Sequence, residues 1–272
     1  MKNKILLFIP GYNCEEQIIR VLNQLDKKVM SYITEVIFVN NRSTDNTEEV
    51  VLSFKKENKE FPIKVLRNDS NYNLGGSHKV AFKYAIENEF EYVIILHGDD
   101  QGDIHDLLPL LKNKEYKKYD CLLGSRFMKE SKIKGYSLFR QFGNRVFNII
   151  FSICLFKRIT DLGAGLNMYS TEMLKSNFYH KYPDRLTFNC YMLLATNAYH
   201  QRIKFFPISW REDDQVSNVK MFSQSKQTLA LVLHYFFQRK KYLEKEHRDK
   251  IIKSYTAKEI TRINKTKGSR GE

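Results

Sequence analysis

Residues 97–103 read HGDDQGD and follow directly on the apolar run YVIIL. Three carboxylates in seven positions offer hard oxygen donors of the kind a divalent cation takes, in company with waters and phosphate oxygens. They gather in a chain whose 45 Lys and Arg against 31 Asp and Glu leave a formal net charge of +14. Asp99 ends the apolar run and suits a metal ligand, and Gln101, two residues on, faces the same side if the backbone stays extended. His97, two residues before, shares that side; imidazole is a poorer partner for Mg2+ than carboxylate and an acceptable one for Mn2+. Three readings of His97 stay open: a metal ligand, a hydrogen-bond partner of phosphate or ribose, or a filler. Asp99 alone is equally compatible with a turn, and Asp103 with the cap of a helix over IHDLLPLL.

Cations able to meet anionic groups stand elsewhere. Arg126, in LLGSRF, has the guanidinium fork that matches phosphate, although a surface ion pair uses the same fork. Arg211 and Lys220, on either side of Ser217 in WREDDQVSNVK, can serve an anion from a second direction. Glu15 in PGYNCEE is either a pocket residue or an acid favoured by the helix macrodipole.

The elements that must position these residues are legible in the first half. ILLFIP, EVIFVN, FPIKVLRN and YVIILHGDD are short apolar runs separated by the amphipathic stretches EEQIIRVLNQL, TEEVVLSFKKE and SHKVAFKYAIENE. That alternation predicts βαβ units, an α/β fold with a parallel sheet flanked by helices. Ligands in such sheets bind beyond the carboxyl ends of the strands. PGYN, NNRSTD, RNDSNYN and HGDDQGD each lie there. A strand with its loop is expected at DCLLGSRF, a long helix over about 138–156, another strand in RIKFFPISW, and a helix opening near Ser223.

Composition narrows the class. Hydrophobic content of 42%, with 19 Phe and 16 Tyr, excludes a disordered chain. Cys14, Cys121, Cys154 and Cys190 show no CxxC spacing, which argues against a zinc site or disulfide framework and for a reducing compartment. MKNKILLFIPGYN is broken by Pro10 and Gly11 and reads as a first strand, not a signal peptide. The longest apolar runs, 146–156 and 228–237, are too short to span a bilayer. Residues 239–272 hold twelve Lys or Arg against five acids, half of the chain's excess charge. We therefore expect a domain over 1–238 and a basic, helical or disordered tail over 239–272, suited to anionic headgroups or simply to solubility. Nucleic acid is disfavoured as a partner, because no aromatic-rich basic module accompanies the tail.

Five ordered blocks over roughly residues 5–225 resemble the inverting family 2 glycosyltransferases of GT-A fold, including dolichol-phosphate-mannose-synthase-like enzymes. FIPGYNCEEQI is similar to the family's P-x-Y-N-E-E, VNNRSTDNT to V-D-D-G-S-T-D-N-T, YVIILHGDDQ to the strand ending in D-x-D-x-Q, LLGSRF to G-S-R, and FPISWREDDQVSNVKM to P-x-x-x-x-R-x-x-x-x-S. The resemblance implies a nucleotide-diphosphate sugar donor with Mg2+ or Mn2+ as cofactor. It places Asp99 and Gln101 on metal-binding positions, and Pro10, Tyr12 and Glu15 around base and ribose. Asn13, Ser43 and Gly98 fall in the same blocks, and Asp45 matches a later acid. The chain departs from the pattern at His97, which replaces the first Asp of D-x-D, and at Asn40 and Asn41, which replace a pair of aspartates. Asn both donates and accepts where Asp only accepts, so the base is left open. By the same resemblance Arg126, Arg211, Ser217 and Lys220 meet donor or acceptor phosphate.

Relatives that attack with a sugar hydroxyl carry an acid in a segment of F-x-x-E-L type, whereas LTFNCYMLLA (186–195) has none. Either the acceptor is a lipid phosphate, already ionised and in no need of a strong base, or Asp161, Asp213 or Asp214 supplies one. The expectation is an enzyme at the cytoplasmic membrane face, peripheral to it through the two apolar runs, moving a sugar onto a polyprenyl phosphate or a glycan for cell-envelope polysaccharide or glycolipid. The alternative is a catalytically inactive relative that keeps the fold as a binding module.

Overall fold

The computed structural model describes residues 4–212 and 221–261. Ten strands are described: β1 (Ile5–Gly11), β2 (Glu35–Asn40), β3 (Ile63–Asn68), β4 (Tyr92–Leu96), β5 (Cys121–Ser125), β6 (Lys132–Lys134), β7 (Leu166–Ser170), β8 (Ile203–Pro207), β9 (Ser209–Arg211) and β10 (Ala257–Glu259). Eight form one sheet in the order β10-β3-β2-β1-β4-β7-β5-β8, and β6 pairs in parallel with β9 beside it. Within the large sheet β3, β2, β1 and β4 run parallel, β7 is antiparallel to both β4 and β5, and β8 is parallel to β5.

The continuous apolar runs explain the arrangement. All seven residues of β1 are buried, as a strand covered on both faces by helices requires. Its side chains alternate between two cores: Leu6 and Phe8 face one, Ile5, Leu7 and Ile9 the other. Helices Glu15–Asn23 and Thr47–Glu57 cover the second face, and helices Asn73–Glu87 and Phe188–Ala198 cover the first. Every predicted strand of the first half is present, and the sharp turns after β1, β2 and β4 bring their polar segments to one end of the sheet.

The helix Leu138–Leu155 exists as read, but much of its surface is unpaired: Phe142 is 67% exposed, Ile149 60% and Ile153 65%. Leu229, Leu233, Phe236 and Phe237 on helix Met221–Phe237 are also exposed, and Phe156 and Phe236 bring the two faces together with ring centroids 6.2 Å apart. An ordinary core helix would have buried these side chains.

One expectation changes, that of a boundary near residue 238. Among the described residues, the segment after it is part of the fold. Helix Arg239–Glu244 buries Tyr242 completely against Tyr191, Tyr235 and His247. β10 then extends the sheet antiparallel to β3, with Asp69 N donating to Thr256 O at 3.1 Å and Ile260 N to Val65 O at 2.8 Å. The lysines around these elements face water while the tyrosines between them enter the core, so net charge concealed the packing.

Tyr255 is buried and packs edge-on against Tyr72 while its hydroxyl donates to Asp184 at 2.8 Å. Emptying a buried aromatic site costs roughly 3–5 kcal/mol. Tyr255→Ala is therefore expected to lower the unfolding free energy by about that amount in urea titrations; a loss below about 1 kcal/mol would mean the segment is only loosely applied.

Candidate functional site

The ends of β1 and β4 meet closely. Gly98 N donates to Pro10 O at 3.0 Å, and a Cβ at residue 98 would lie 2.8 Å from that same oxygen, so only glycine fits. His97 N donates to Gly165 O at 2.9 Å on the other side, and Asn41 N to Gly11 O at 2.9 Å fastens β2's end to β1's. Above this junction opens a cleft of about 600 Å³, whose lining includes Tyr12, Asn41, Asn71, Ser77, Asp99 and Arg185.

Pro10, Gly98, Asp99 and His97 all line that cleft. A third of the Asp99 side chain is exposed, yet the surrounding protein desolvates its carboxyl and raises it to about 6. His97 Nδ1 stands 4.0 Å from Asp99 Oδ2, while its Nε2 is buried with no hydrogen-bond partner among the described residues. Desolvation lowers this imidazole to about 4, so it is neutral near pH 7. A neutral imidazole adds no positive charge beside Asp99, and the nitrogen it turns toward that carboxylate is Nδ1.

Gln101 does not follow. Asp100 adopts a left-handed backbone, φ 59°, which breaks the extended chain on which a shared side depended. Gln101 N turns back onto Asp99 Oδ1 at 3.3 Å, and the Gln101 side of the loop lines a separate cavity with Arg20, Lys132 and Trp210. Asp100 is buried beneath it, held by Arg20 Nε at 2.5 Å, by Gln24 Nε2 at 3.0 Å and by the Arg211 guanidinium. Arg211 Nε also donates to Asp100 O at 2.7 Å, so this arginine clamps the loop and lines the separate cavity. Asp103 caps the helical turn after it, accepting from His105 N at 2.9 Å. Among the described residues no group of three His, Cys, Asp or Glu is placed to hold a metal.

The expected nucleoside residues divide. Tyr12 and Asn41 line the cleft, Tyr12 half exposed. Asn13, Glu15, Ser43 and Asp45 instead tie the two loops together. Asn13 N donates to Ser43 Oγ and Asn13 Oδ1 accepts from Thr44 N; Glu15 N donates to Asp45 Oδ2 and Glu15 Oε2 accepts from Asn46 N. Asn40 is buried, donating to Glu48 Oε2 at 2.6 Å and accepting from Ser43 N at 2.8 Å, so its amide is turned into the protein and does not line the cleft. Asn41 Oδ1 accepts from Asn68 Nδ2 and Tyr72 N, and its Nδ2 donates to Asn71. The two asparagines therefore shape the wall through their neighbours, and Asn71, Asn73 and Ser77 carry it into the cleft.

Arg126 is not presented to an anion. Its guanidinium makes a bidentate pair with Asp161, Nε to Oδ2 at 2.8 Å and Nη2 to Oδ1 at 2.7 Å, under the Trp210 and Tyr136 rings. Both partners are buried, and Arg126 N also donates to Asp161. Asp161, saturated this way, is unsuited to act as a base. Ser217, Lys220, Asp213 and Asp214 lie outside the described residues.

Sequence reasoning missed Arg185, Leu186 and Thr187, which form the cleft's far wall with Gln227. They precede helix Phe188–Ala198; Leu186 and Thr187 open the 186–195 segment noted only for its lack of an acid, and Arg185 lies just before it in a polar turn.

The family model described as Glycosyl transferase family 2 matches residues 7–178. Protein MJ1222 of Methanocaldococcus jannaschii is 26% identical over 207 residues, covering 76% of this chain and 81% of that one. Dolichyl-phosphate beta-glucosyltransferase ALG5A of Trichomonas vaginalis is 26% identical over 245 residues, covering 86% and 73%. Among solved structures, the mannosyltransferase PcManGT from Pyrobaculum calidifontis, in complex with GDP-Man and Mn2+, superposes with a TM-score of 0.59 at 15% identity over 88% of this chain and 64% of that one. At that identity the likeness is one of fold, and the fold is GT-A.

Beneath the cleft, His78 is buried against Phe8, Phe82, Phe188 and His97, and desolvation lowers its imidazole to about 3. Between that value and the ordinary 6.5 the unfolded chain binds a proton the folded one refuses, so stability falls as pH drops through this window. His78→Phe should flatten the decline between pH 6.5 and 4.5 by up to about 1.4 kcal/mol per pH unit, read from urea midpoints. An unchanged slope would show that His78 is already protonated in the fold.

Proposed function

Because the chain belongs to glycosyl transferase family 2, whose model spans most of it, we propose that it is a metal-dependent inverting glycosyltransferase using a nucleotide-diphosphate sugar and a polyprenyl phosphate. The donor's base and ribose lie along Tyr12 and Asn41, with its diphosphate toward Asp99. Asp99 is the protein's carboxylate for Mg2+ or Mn2+, a role that one carboxylate with waters and phosphate oxygens can fill, and neutral His97, its Nδ1 4.0 Å from Asp99 Oδ2, adds no positive charge to oppose a cation there. When bound, such a cation offsets the charge of the departing diphosphate. The mannosyltransferase solved with GDP-Man and Mn2+ supports this choice of cofactor class.

In the reaction an acceptor oxygen attacks the anomeric carbon in line as the bond to the diphosphate breaks, inverting the configuration. Asp161 is locked by Arg126, and helix Phe188–Ala198 beside the cleft carries no acid. A phosphate acceptor, ionised near neutral pH, needs no base from either.

The observation that carries the lipid assignment is the apolar face shared by helices Leu138–Leu155 and Met221–Phe237. Leu138, Phe139, Phe142, Ile149, Ile153 and Phe156 are exposed, Arg145 is exposed on the same helix, and exposed Arg158, Lys240 and Lys241 follow the two helices in sequence. Apolar side chains bordered by cations suit the interface of an anionic bilayer. No helix of the described residues is long and apolar enough to cross a membrane. Docking by this face sets the enzyme peripherally on the cytoplasmic leaflet, in keeping with the dolichyl-phosphate glucosyltransferase among its relatives.

Asp99→Ala is expected to reduce metal-dependent sugar transfer by at least about a hundredfold, the scale of losing transition-state charge stabilisation, with an unchanged thermal transition. Full activity in that variant would remove Asp99 from the site. Separately, Phe142→Asp with Ile149→Asp should cut flotation with vesicles containing anionic lipid by more than about tenfold, each lost apolar anchor being worth roughly 1.5–3 kcal/mol. Undiminished flotation would contradict docking by this face.

A further inference from the structure

A diphosphate donor and a phosphate acceptor together bring several negative charges into one cleft, and the arginines expected to meet them are engaged elsewhere. Arg126 is sealed against Asp161, and Arg211 is bound to Asp100 beside a different cavity. Among the described residues, Arg185 is the one cationic side chain lining the cleft.

Its placement is well determined. Residues 182–184 are pinned against helix Asn73–Glu87: Gly75 N donates to Asp184 O at 2.7 Å, and a Cβ at Gly75 would strike Pro183 O at 2.6 Å. The buried Lys79 ammonium donates to Tyr182 O at 2.5 Å and to Asp184 Oδ1 at 2.7 Å, and Tyr255 closes the knot from the C-terminal segment. Phe188 N donates to Arg185 O at 3.0 Å, which fixes the next residue's backbone at the start of a buried helix. The backbone of Arg185 is thus rigid while its side chain is 58% exposed.

Among the described residues the guanidinium has one modest restraint. Arg185 Nε pairs with Asp249 Oδ2 at 2.7 Å, and Asp249 is itself 59% exposed. A pair so exposed is worth at most about 1 kcal/mol. A phosphate accepting two guanidinium hydrogen bonds is a stronger partner.

We propose that Arg185 binds the phosphate groups of the cleft's ligands, and that Asp249 holds its guanidinium at the cleft until a phosphate displaces the carboxylate. This rests on reading the cleft as the donor site. It adds a phosphate-binding residue that no sequence block contains and makes the segment around residue 249 part of the site.

The test compares wild-type protein with Arg185→Gln, Arg185→Lys and Asp249→Asn. Calorimetric titration with UDP and with GDP in Mn2+ reads the donor side, and the KM for polyprenyl phosphate reads the acceptor side. Arg185→Gln should weaken one or both by about tenfold to a hundredfold, with an unchanged urea midpoint, and Arg185→Lys should recover part of the loss. A loss confined to the nucleotide assigns Arg185 to the donor diphosphate; one confined to KM assigns it to the acceptor phosphate. Asp249→Asn removes the competing carboxylate and should tighten binding by about two- to fivefold. Wild-type affinity and KM in Arg185→Gln would overturn the proposal, as would equal weakening by Asp249→Asn, which would make the pair structural only. If the wild-type protein binds neither nucleotide, the donor-site reading fails first and this inference with it.

Discussion

The close approach of β4's end to β1's governs the site. Gly98 N donates to Pro10 O, and the absence of a Cβ at Gly98 lets the two backbones touch. That contact sets Asp99 beside the turn bearing Tyr12, at the carboxyl ends of parallel strands where α/β sheets hold ligands. The left-handed Asp100 follows immediately and sends the chain away, so the acid cluster splits: Asp99 to the cleft, Asp100 down onto Arg20 and Arg211, Asp103 to a helix cap.

Much of the basic chain's charge near the site is consumed internally. Arg67 closes on Glu48, Arg126 on Asp161, Arg211 on Asp100 and Lys79 on Asp184. Breaking one partner of a buried pair leaves an uncompensated charge, which is why such pairs fix geometry rather than supply function. The polar side chains of the cleft are consequently neutral amides and hydroxyls, the His97 imidazole, one carboxylate and Arg185, set among apolar and glycine residues. A similar division holds at the surface, where the tyrosines of the C-terminal segment enter the core and leave its lysines outside, while the 138–155 helix keeps its apolar face outward.

How much the sequence revealed depended on the range of the interaction. Strand positions and the cleft's location followed from local periodicity, and Asp99, Pro10 and Tyr12 stand where strand ends put them. Gln101 was misplaced because a single positive φ at Asp100 defeats the period of two, and nothing in the residue type demands it. Asn40 and Arg126 were misread because their partners Glu48 and Asp161 lie 8 and 35 residues away. Arg185 escaped notice because its position depends on Lys79 and Tyr255, which are distant in sequence and unremarkable in type. The packing of residues 239–261 was hidden beneath a high net charge that says nothing about which side chains turn inward.

The most direct measurement follows a labelled sugar. Nucleotide sugars carrying a radiolabelled hexose are incubated with the protein, Mn2+ and a polyprenyl phosphate, and the organic phase is extracted and the anomeric configuration of any product determined. Label in the lipid, linked to phosphate with configuration opposite to the donor's, is the predicted result. Label that stays in the aqueous phase for every donor, with binding intact, would contradict a lipid-phosphate acceptor.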